Sequence, residues 1–347
     1  HWQMEVEFTV LQAARRQVAV NNIVEKLEQE GIECCLLKGN VLAELYETPS
    51  CRISADTDLL IQPQAEKRAI EIMKQYGFQV EERAKSSNQT VCRSKEAGTI
   101  ELHISLNNKL MDEIWFRDMA QKTEPHREFR TSEGLCCHTL GVTDGLVLVV
   151  LHFIKHFINR AAGIRMAMDT LLYMEHYYEQ IDWEKFHKLM QELKYEKFMQ
   201  IIMAIGENHM FFSTRKFGGT DVPEELIQKV LADMEEGGNQ GFHSIESLGF
   251  YDIYSAQRME KQGGEYKKYR QRNMLADYKK LVFLEKKEMV KKYPYLEKRG
   301  FLLPLAWTHR IVSAFWKRIF GHPEPVSQSA QQAIDKRMEL IRELDMI

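Results

Sequence analysis

The sequence has no hydrophobic run long enough to cross a membrane. Its most apolar stretch, Leu146 to Leu151, reaches at most Ile154 if His152 is allowed inside it, against the ~20 residues a spanning helix needs. No signal peptide is visible. No C-x-x-C and no H-E-x-x-H occurs, so the common zinc frameworks are excluded. The six cysteines, Cys34, Cys35, Cys51, Cys92, Cys136 and Cys137, include two adjacent pairs and show no secreted disulfide pattern. Reduced thiols in a cytoplasm are the expectation. Charge of one sign is also lacking. The net charge is −3, so the chain as a whole is not a polyanion binder, and any nucleic-acid contact would need a local basic patch. Internal repeats and low-complexity tracts are absent. The opening HWQMEVEF already reads as helix, which fits either a tag remnant or missing upstream sequence.

What is present is a globular composition, 44% hydrophobic and 28% charged over 347 residues, enough for two domains. The first hundred residues alternate between short strands and helices. Residues 9–29 have helical apolar spacing, closed by Gly31. IECCLL (32–37) reads as a buried strand, Lys38-Gly39-Asn40 as a turn, and 41–46 as a helix stopped by Pro49. Thr57 to Ile61 reads as a strand, 65–77 as an amphipathic helix after Pro63, and 78–84, 89–94 and 99–106 as neighbouring strands. From Val142 to Gly206 the pattern is helical throughout, with Asp182-Trp183-Glu184 as one helix start. Residues 328–346 read as a terminal helix. The expected fold class is α+β: a small mixed-sheet domain over 1–125, with its N-terminal helix, and a mainly helical domain over 126–347 closing a cleft.

The chemistry concentrates in SCRISADTDLLI (50–61). A D-x-D pair alone is weak evidence, because 50 acidic residues in 347 give roughly seven acidic-x-acidic pairs by chance. On a strand, however, positions i and i+2 share a face. Asp56 and Asp58 then converge while Thr57, Leu59 and Ile61 face the core. Two close carboxylates repel unless a cation joins them, and oxygen ligands suit Mg²⁺ or Mn²⁺. Glu101, flanked by Ile100 and Leu102, is either a third carboxylate on that face or an edge-strand residue facing water. If it is the third, the set meets the minimum for two-metal phosphoryl chemistry. Gly39 lets the backbone approach a phosphate, Lys38 adds charge, and Arg52 is either a bidentate phosphate ligand or a surface residue.

LLKG (36–39), then R-x-x-x-D-x-D-L-L-I (52–61), then I-E-L-H (100–103) resemble the uncharacterised nucleotidyltransferase family of the DNA polymerase β-like superfamily. The resemblance implies a small mixed-sheet catalytic domain with Asp56 and Asp58 as paired metal ligands. It implies Glu101 as the third carboxylate and Gly39 as the glycine of the phosphate-binding turn. The wider superfamily usually has Gly-Ser or Gly-Gly there. Here the pair is Gly39-Asn40 after Lys38, the Lys-Gly version that this family carries. LHFIKHF (151–157), the I-R-x-x-x-D of 164–169, IDW (181–183) and LLPLAWTHRI (302–311) resemble the family's helical half.

His152 and His156, at i and i+4, share one helix face and either line the nucleotide cleft or are satisfied inside a helical core. Arg165 and Asp169 are expected to form a helix salt bridge. The lysine pairs between 254 and 320 are interspersed with acids and read as a solvated face, so a nucleic-acid partner is not favoured. Phe315 and Trp316 are expected to pack on the helical domain. The expected activity is Mg²⁺- or Mn²⁺-dependent transfer of a nucleoside monophosphate from an NTP, ATP included, to an acceptor hydroxyl of unknown identity. Lys38, Gly39, Asn40, Arg52, His152 and His156 would sit on the nucleotide side. The alternative is a catalytically inactive nucleotide-sensing or partner-binding module with the same fold.

Overall fold

The computed structural model of the protein describes residues 2–81, 88–106, 126–160, 162–213, 222–237, 289–290, 293–297, 300–309, 312 and 328–347. The chain divides into two compact units, 1–243 with 343–346 and 244–342 with 347. In the first unit seven strands form one mixed sheet: β1 (Cys35–Leu37), β2 (Asp56–Leu60), β3 (Gln79–Val80), β4 (Gln89–Ser94), β5 (Gly98–His103), β6 (Arg127–Arg130) and β7 (Cys136–Thr139). Their order is β3-β4-β5-β2-β1-β7-β6. β2 runs antiparallel to β1 and parallel to β5, and β1 runs parallel to β7. The residues expected to open a helical domain at 126 thus first supply two strands, β6 and β7, that complete the sheet.

The alternation of each strand separates two faces. On one, Thr57, Leu59, Thr90, Cys92, Ile100 and Leu102 are buried. Two helices form the layer over this face, α1 (Trp2–Gln29) and α3 (Glu66–Gln75). α3 is fixed there by Glu66, which accepts a hydrogen bond from Thr90 Oγ1 at 2.9 Å. α1 contributes Ile23, Val24 and Leu27 to the core and touches both α3 and β7. Between β1 and β2 lies the short α2 (Gly39–Ala43), which ends before the expected Tyr46.

The opposite face is apolar at one end and charged in the middle. Cys35 and Leu37 of β1 pack with Leu60, Leu140 and Leu148. Leu148 comes from α4 (Val142–Arg160), the first of a helical run with α5 (Ile164–His176), α6 (Trp183–Glu192), α7 (Glu196–His209) and α8 (Glu224–Gly237). Asp182 caps α6 as expected, accepting from Lys185 N at 2.9 Å. Phe153 and Phe157 of α4 meet Phe198 of α7 at ring-centroid distances of 5.2 and 4.8 Å, an aromatic core for the bundle. A last helix, α9 (Gln328–Glu343), precedes the C-terminal residues. Within the first unit, Glu343 pairs with Lys229 and Asp345 with Lys197.

In the second unit, Met289, Tyr293, Leu296 and Ala306 form a small buried cluster with Trp307 against it. Most of the basic segment 254–320, including Phe315 and Trp316, lies outside the described residues.

Candidate active site

The register of three strands assembles the site. Leu37 of β1 stands opposite Asp58 of β2, and Asp58 stands beside Glu101 of β5. Lys38, leaving β1, therefore emerges next to Asp58. Its ammonium pairs with Asp58 Oδ2 at 3.0 Å. The Lys38 backbone has φ 43° and ψ −105°, a conformation that costs a residue with a Cβ about 1–3 kcal/mol. The strain is held by β1 on one side and by the first turn of α2 on the other, where Leu42 N donates to Lys38 O at 2.8 Å. Lys38 lines a small pocket with Val41, Leu148 of α4 and Tyr173 of α5. The helical half thus borders this turn.

Asp58 is 4% exposed. Burial pushes its carboxyl up, but the Lys38 ammonium and the His103 imidazole outweigh this and hold it far below the ordinary carboxylate range. His103 Nε2 lies 2.7 Å from Asp58 Oδ1 and 3.7 Å from a Glu101 oxygen. Glu101 moves the other way: burial, then the charges of Asp58 and Asp56, raise its pKa. Ligand atoms of Asp58, Glu101 and His103 all lie within 4.8 Å of one another. Asp56 is half-buried one same-face step along β2. It also acts on Arg16 of α1, whose pKa burial lowers and Asp56 partly restores. Arg16 donates to the carbonyls of Ser54, Ala97 and Thr99, pinning the start of β2 to the start of β5.

Gly39 is required by space. A Cβ there would stand 2.8 Å from Ser54 Oγ, and Ser54 Oγ itself donates to Asp56 O at 2.9 Å. Asn40, expected on the nucleotide side, has its side chain turned into the fold. It is 7% exposed and donates through Nδ2 to Gln17 Oε1 at 2.9 Å, while its Oδ1 has no partner among the described residues. Arg52, also expected to meet phosphate, is committed elsewhere. Its Nε and Nη2 make 2.8 Å bonds to the two oxygens of Asp169, and its Nη1 donates to Gly39 O at 3.0 Å.

The expected Arg165–Asp169 helix pair is corrected by the same observation. Asp169 accepts from Arg52 and from Tyr46 Oη at 2.8 Å, and Arg165 donates to Ile53 O. The physical reason is burial. A carboxylate taken from water must have both oxygens satisfied, and a bidentate guanidinium plus a phenol does this better than one partner a turn away.

His152 and His156 lie on α4 with ring centroids 4.6 Å apart. Burial, then the Lys38 ammonium and His156, push the His152 pKa well down, against a raising influence from Asp58. His152 therefore stays neutral and within electrostatic reach of the Lys38–Asp58 pair. The structure thus gathers Lys38, Gly39, Asp58 and Glu101, puts Asp56 on the same face and His152 nearby, and turns the Asn40 and Arg52 side chains to other partners. The sequence reading gives no site role to His103, which closes the I-E-L-H motif, nor to Tyr46 or Arg16. His103 carried a signal, the same i, i+2 spacing from Glu101 that joins Asp56 to Asp58. Tyr46 and Arg16 carried none.

A model of the uncharacterised nucleotidyltransferase family matches residues 1–210. A search of curated proteins gave no match. Solved structures that resemble the chain include three nucleotidyltransferase-type proteins. The lincosamide antibiotic adenylyltransferase LnuA in its lincomycin-bound form has TM-score 0.31 and 12% identity, over 44% of this chain and 92% of that one. An antigenic nucleotidyltransferase-like protein from Paracoccidioides brasiliensis has TM-score 0.33 and 15% identity, over 47% and 77%. The solution structure of the antibiotic-resistance factor ANT(2'')-Ia has TM-score 0.35 and 11% identity, over 59% and 99%. With the family model spanning more than half of its length, the chain belongs to the uncharacterised nucleotidyltransferase family.

Proposed function

We propose that this protein transfers a nucleoside monophosphate from an NTP to an acceptor hydroxyl, with release of pyrophosphate and dependence on a divalent cation. The observation that carries the reading is the register of Asp58 beside Glu101, with the Lys38 ammonium on the same carboxylate. The donor set fits the cation. Asp58 and Glu101 offer oxygens within 4.8 Å of each other, and the pKa of Glu101 is raised by burial first and then by the charges of Asp58 and Asp56. Asp56, Asp58 and Glu101 would hold the ion or ions. When bound, a divalent cation neutralises triphosphate charge and favours the ionised acceptor hydroxyl.

The chain's own groups do the rest. Lys38 is the cation that can pass from Asp58 to a triphosphate oxygen, and the space kept open at Gly39 lets the backbone approach that phosphate. Glu101, whose pKa burial and the charges of Asp58 and Asp56 raise, is suited to accept a proton from the acceptor hydroxyl. His152 and His156 form the wall of the nucleotide side contributed by α4. Arg52 and Asn40 act from behind, holding the turn to α5 and α1. A cytoplasmic setting is part of the reading, supported by six unpaired cysteines. No described helix is long and apolar enough to cross a membrane.

The test is calorimetric titration of each NTP, with Mg²⁺ or Mn²⁺, into the protein and into Asp56→Asn/Asp58→Asn. Metal-dependent binding that the variant loses is the expected result. Binding unaffected by the double substitution, or no binding by the intact protein, overturns the reading and favours a non-catalytic module.

A further inference from the structure

His103 stands in the carboxylate cluster as more than a neighbour. Its Nε2 lies 2.7 Å from Asp58 Oδ1 and 3.7 Å from Glu101, so the three candidate ligand atoms form one close set of two oxygens and one nitrogen. The register makes this set rigid. Leu60 pairs with His103 two steps beyond the Asp58–Glu101 pair on the same two strands, and Ile61 N donates to His103 O at 2.9 Å. Ile100 and Leu102, on the other face of β5, are fully buried and prevent the strand from turning His103 away.

The donor chemistry is selective. Mg²⁺ takes oxygen ligands in near-ideal octahedral geometry and keeps several waters. Imidazole suits transition ions such as Fe²⁺, Ni²⁺ and Zn²⁺, whereas carboxylates suit Mn²⁺ and Mg²⁺ alike, so an added imidazole favours transition ions over Mg²⁺. We propose that His103 is a metal ligand, through Nε2, and that it biases this site toward Mn²⁺ and like transition ions over Mg²⁺. The proposal rests on the nucleotidyltransferase reading only for the use of the metal. The coordination claim stands on the three side chains themselves. The same nitrogen meets Asp58 Oδ1 and Lys38 meets Oδ2, so both oxygens of that carboxylate are engaged. As a ligand the imidazole would present its Nε2 lone pair, with its proton on Nδ1.

The experiment is electron paramagnetic resonance of Mn²⁺ added to the full-length protein, with electron spin-echo modulation to detect directly bound nitrogen. The expected result is one bound Mn²⁺ with a nitrogen coupling typical of imidazole. The coupling should change its pattern when histidine is supplied ¹⁵N-labelled, a control that needs no substitution. In His103→Gln the coupling should vanish and Mn²⁺ affinity should fall on the order of tenfold or more. Mg²⁺ affinity, read by competition, should change less. In His152→Gln the coupling should persist. Bound Mn²⁺ without nitrogen coupling, or coupling that survives His103→Gln in a variant with unchanged circular dichroism, overturns the proposal and leaves the nucleotidyltransferase reading standing. Absence of Mn²⁺ binding overturns the proposal, and the nucleotide calorimetry with Mg²⁺ then decides separately whether the nucleotidyltransferase reading stands.

Discussion

Replacing Asp169 by asparagine perturbs a buried ion pair that ties the strand-turn region to α5. In the native protein both side chains of the Arg52–Asp169 pair are 6% exposed. The guanidinium meets both carboxylate oxygens at 2.8 Å, Tyr46 adds a third bond, and the remaining Nη1 holds Gly39 O. The Asp169→Asn substitution keeps the size of the side chain but removes its charge and one acceptor. The Arg52 charge would then be buried without compensation. Removing one partner of a buried pair costs about 3–5 kcal/mol, far more than the 0–1 kcal/mol of an exposed pair. For a unit of this size that is a fall in Tm on the order of 10 °C.

The check is a double-mutant cycle by chemical denaturation with Asp169→Asn, Arg52→Met and the combination. Each single substitution should destabilise by about 3–5 kcal/mol, and the double should be far less destabilised than their sum, because the lone charge is gone. The penalty should be nearly the same at low and high salt, since a buried pair is little screened. The substitution at 52 should additionally weaken NTP binding, because Gly39 O loses its anchor. Single-variant losses below ~1 kcal/mol, or an additive double, would refute the argument that this pair is desolvated and bidentate.

Three further outcomes follow from the geometry. Gly39→Ala should destabilise by about 1–3 kcal/mol through the contact of the new Cβ with Ser54 Oγ, and Ser54→Ala in the same chain should recover much of that in thermal melts. No recovery would mean that the clash lies elsewhere. Glu101→Gln should stabilise the metal-free protein at neutral pH. Burial and the Asp58 and Asp56 charges raise its folded pKa above the ordinary 4.5, so folding is favoured below that pH and the contribution is lost as pH rises through the folded value. The advantage of the variant should therefore disappear at and below about pH 4.5, and melts at both ends of that range would expose a wrong sign. Asp182→Ala should cost roughly 1 kcal/mol by removing the cap bond to Lys185 N, with no change in nucleotide binding.

The parts of the site legible in the sequence are those that follow strand parity. Asp56 and Asp58 share a face with Glu101 because every same-face step along β2 and β5 is two residues, and the buried partners Thr57, Leu59, Ile100 and Leu102 fix which face that is. The same rule puts His103 beside Glu101. The helices from Val142 onward were legible for the matching reason, a sustained apolar period with Asp182 marking one start. β6 and β7 were not. REFR is a four-residue edge strand dominated by charge and CCHT has no clear alternation, so only the partners already in the sheet determine their state.

The Arg52–Asp169 pair was hidden by distance along the chain. Local spacing favours Arg165 as the partner of Asp169, worth a few tenths of a kcal/mol on an exposed helix, whereas the buried alternative is decided by energies several times larger that appear only once α5 meets the turn. The positive φ of Lys38 belongs with it, since strain there persists only because β1, α2 and the Asp58 carboxylate all constrain the same residue. Sequence periodicity thus places Asp56, Asp58 and Glu101 on one face of the sheet. The positions of Lys38, Gly39 and Arg52 relative to them are set by contacts between elements that no local pattern encodes.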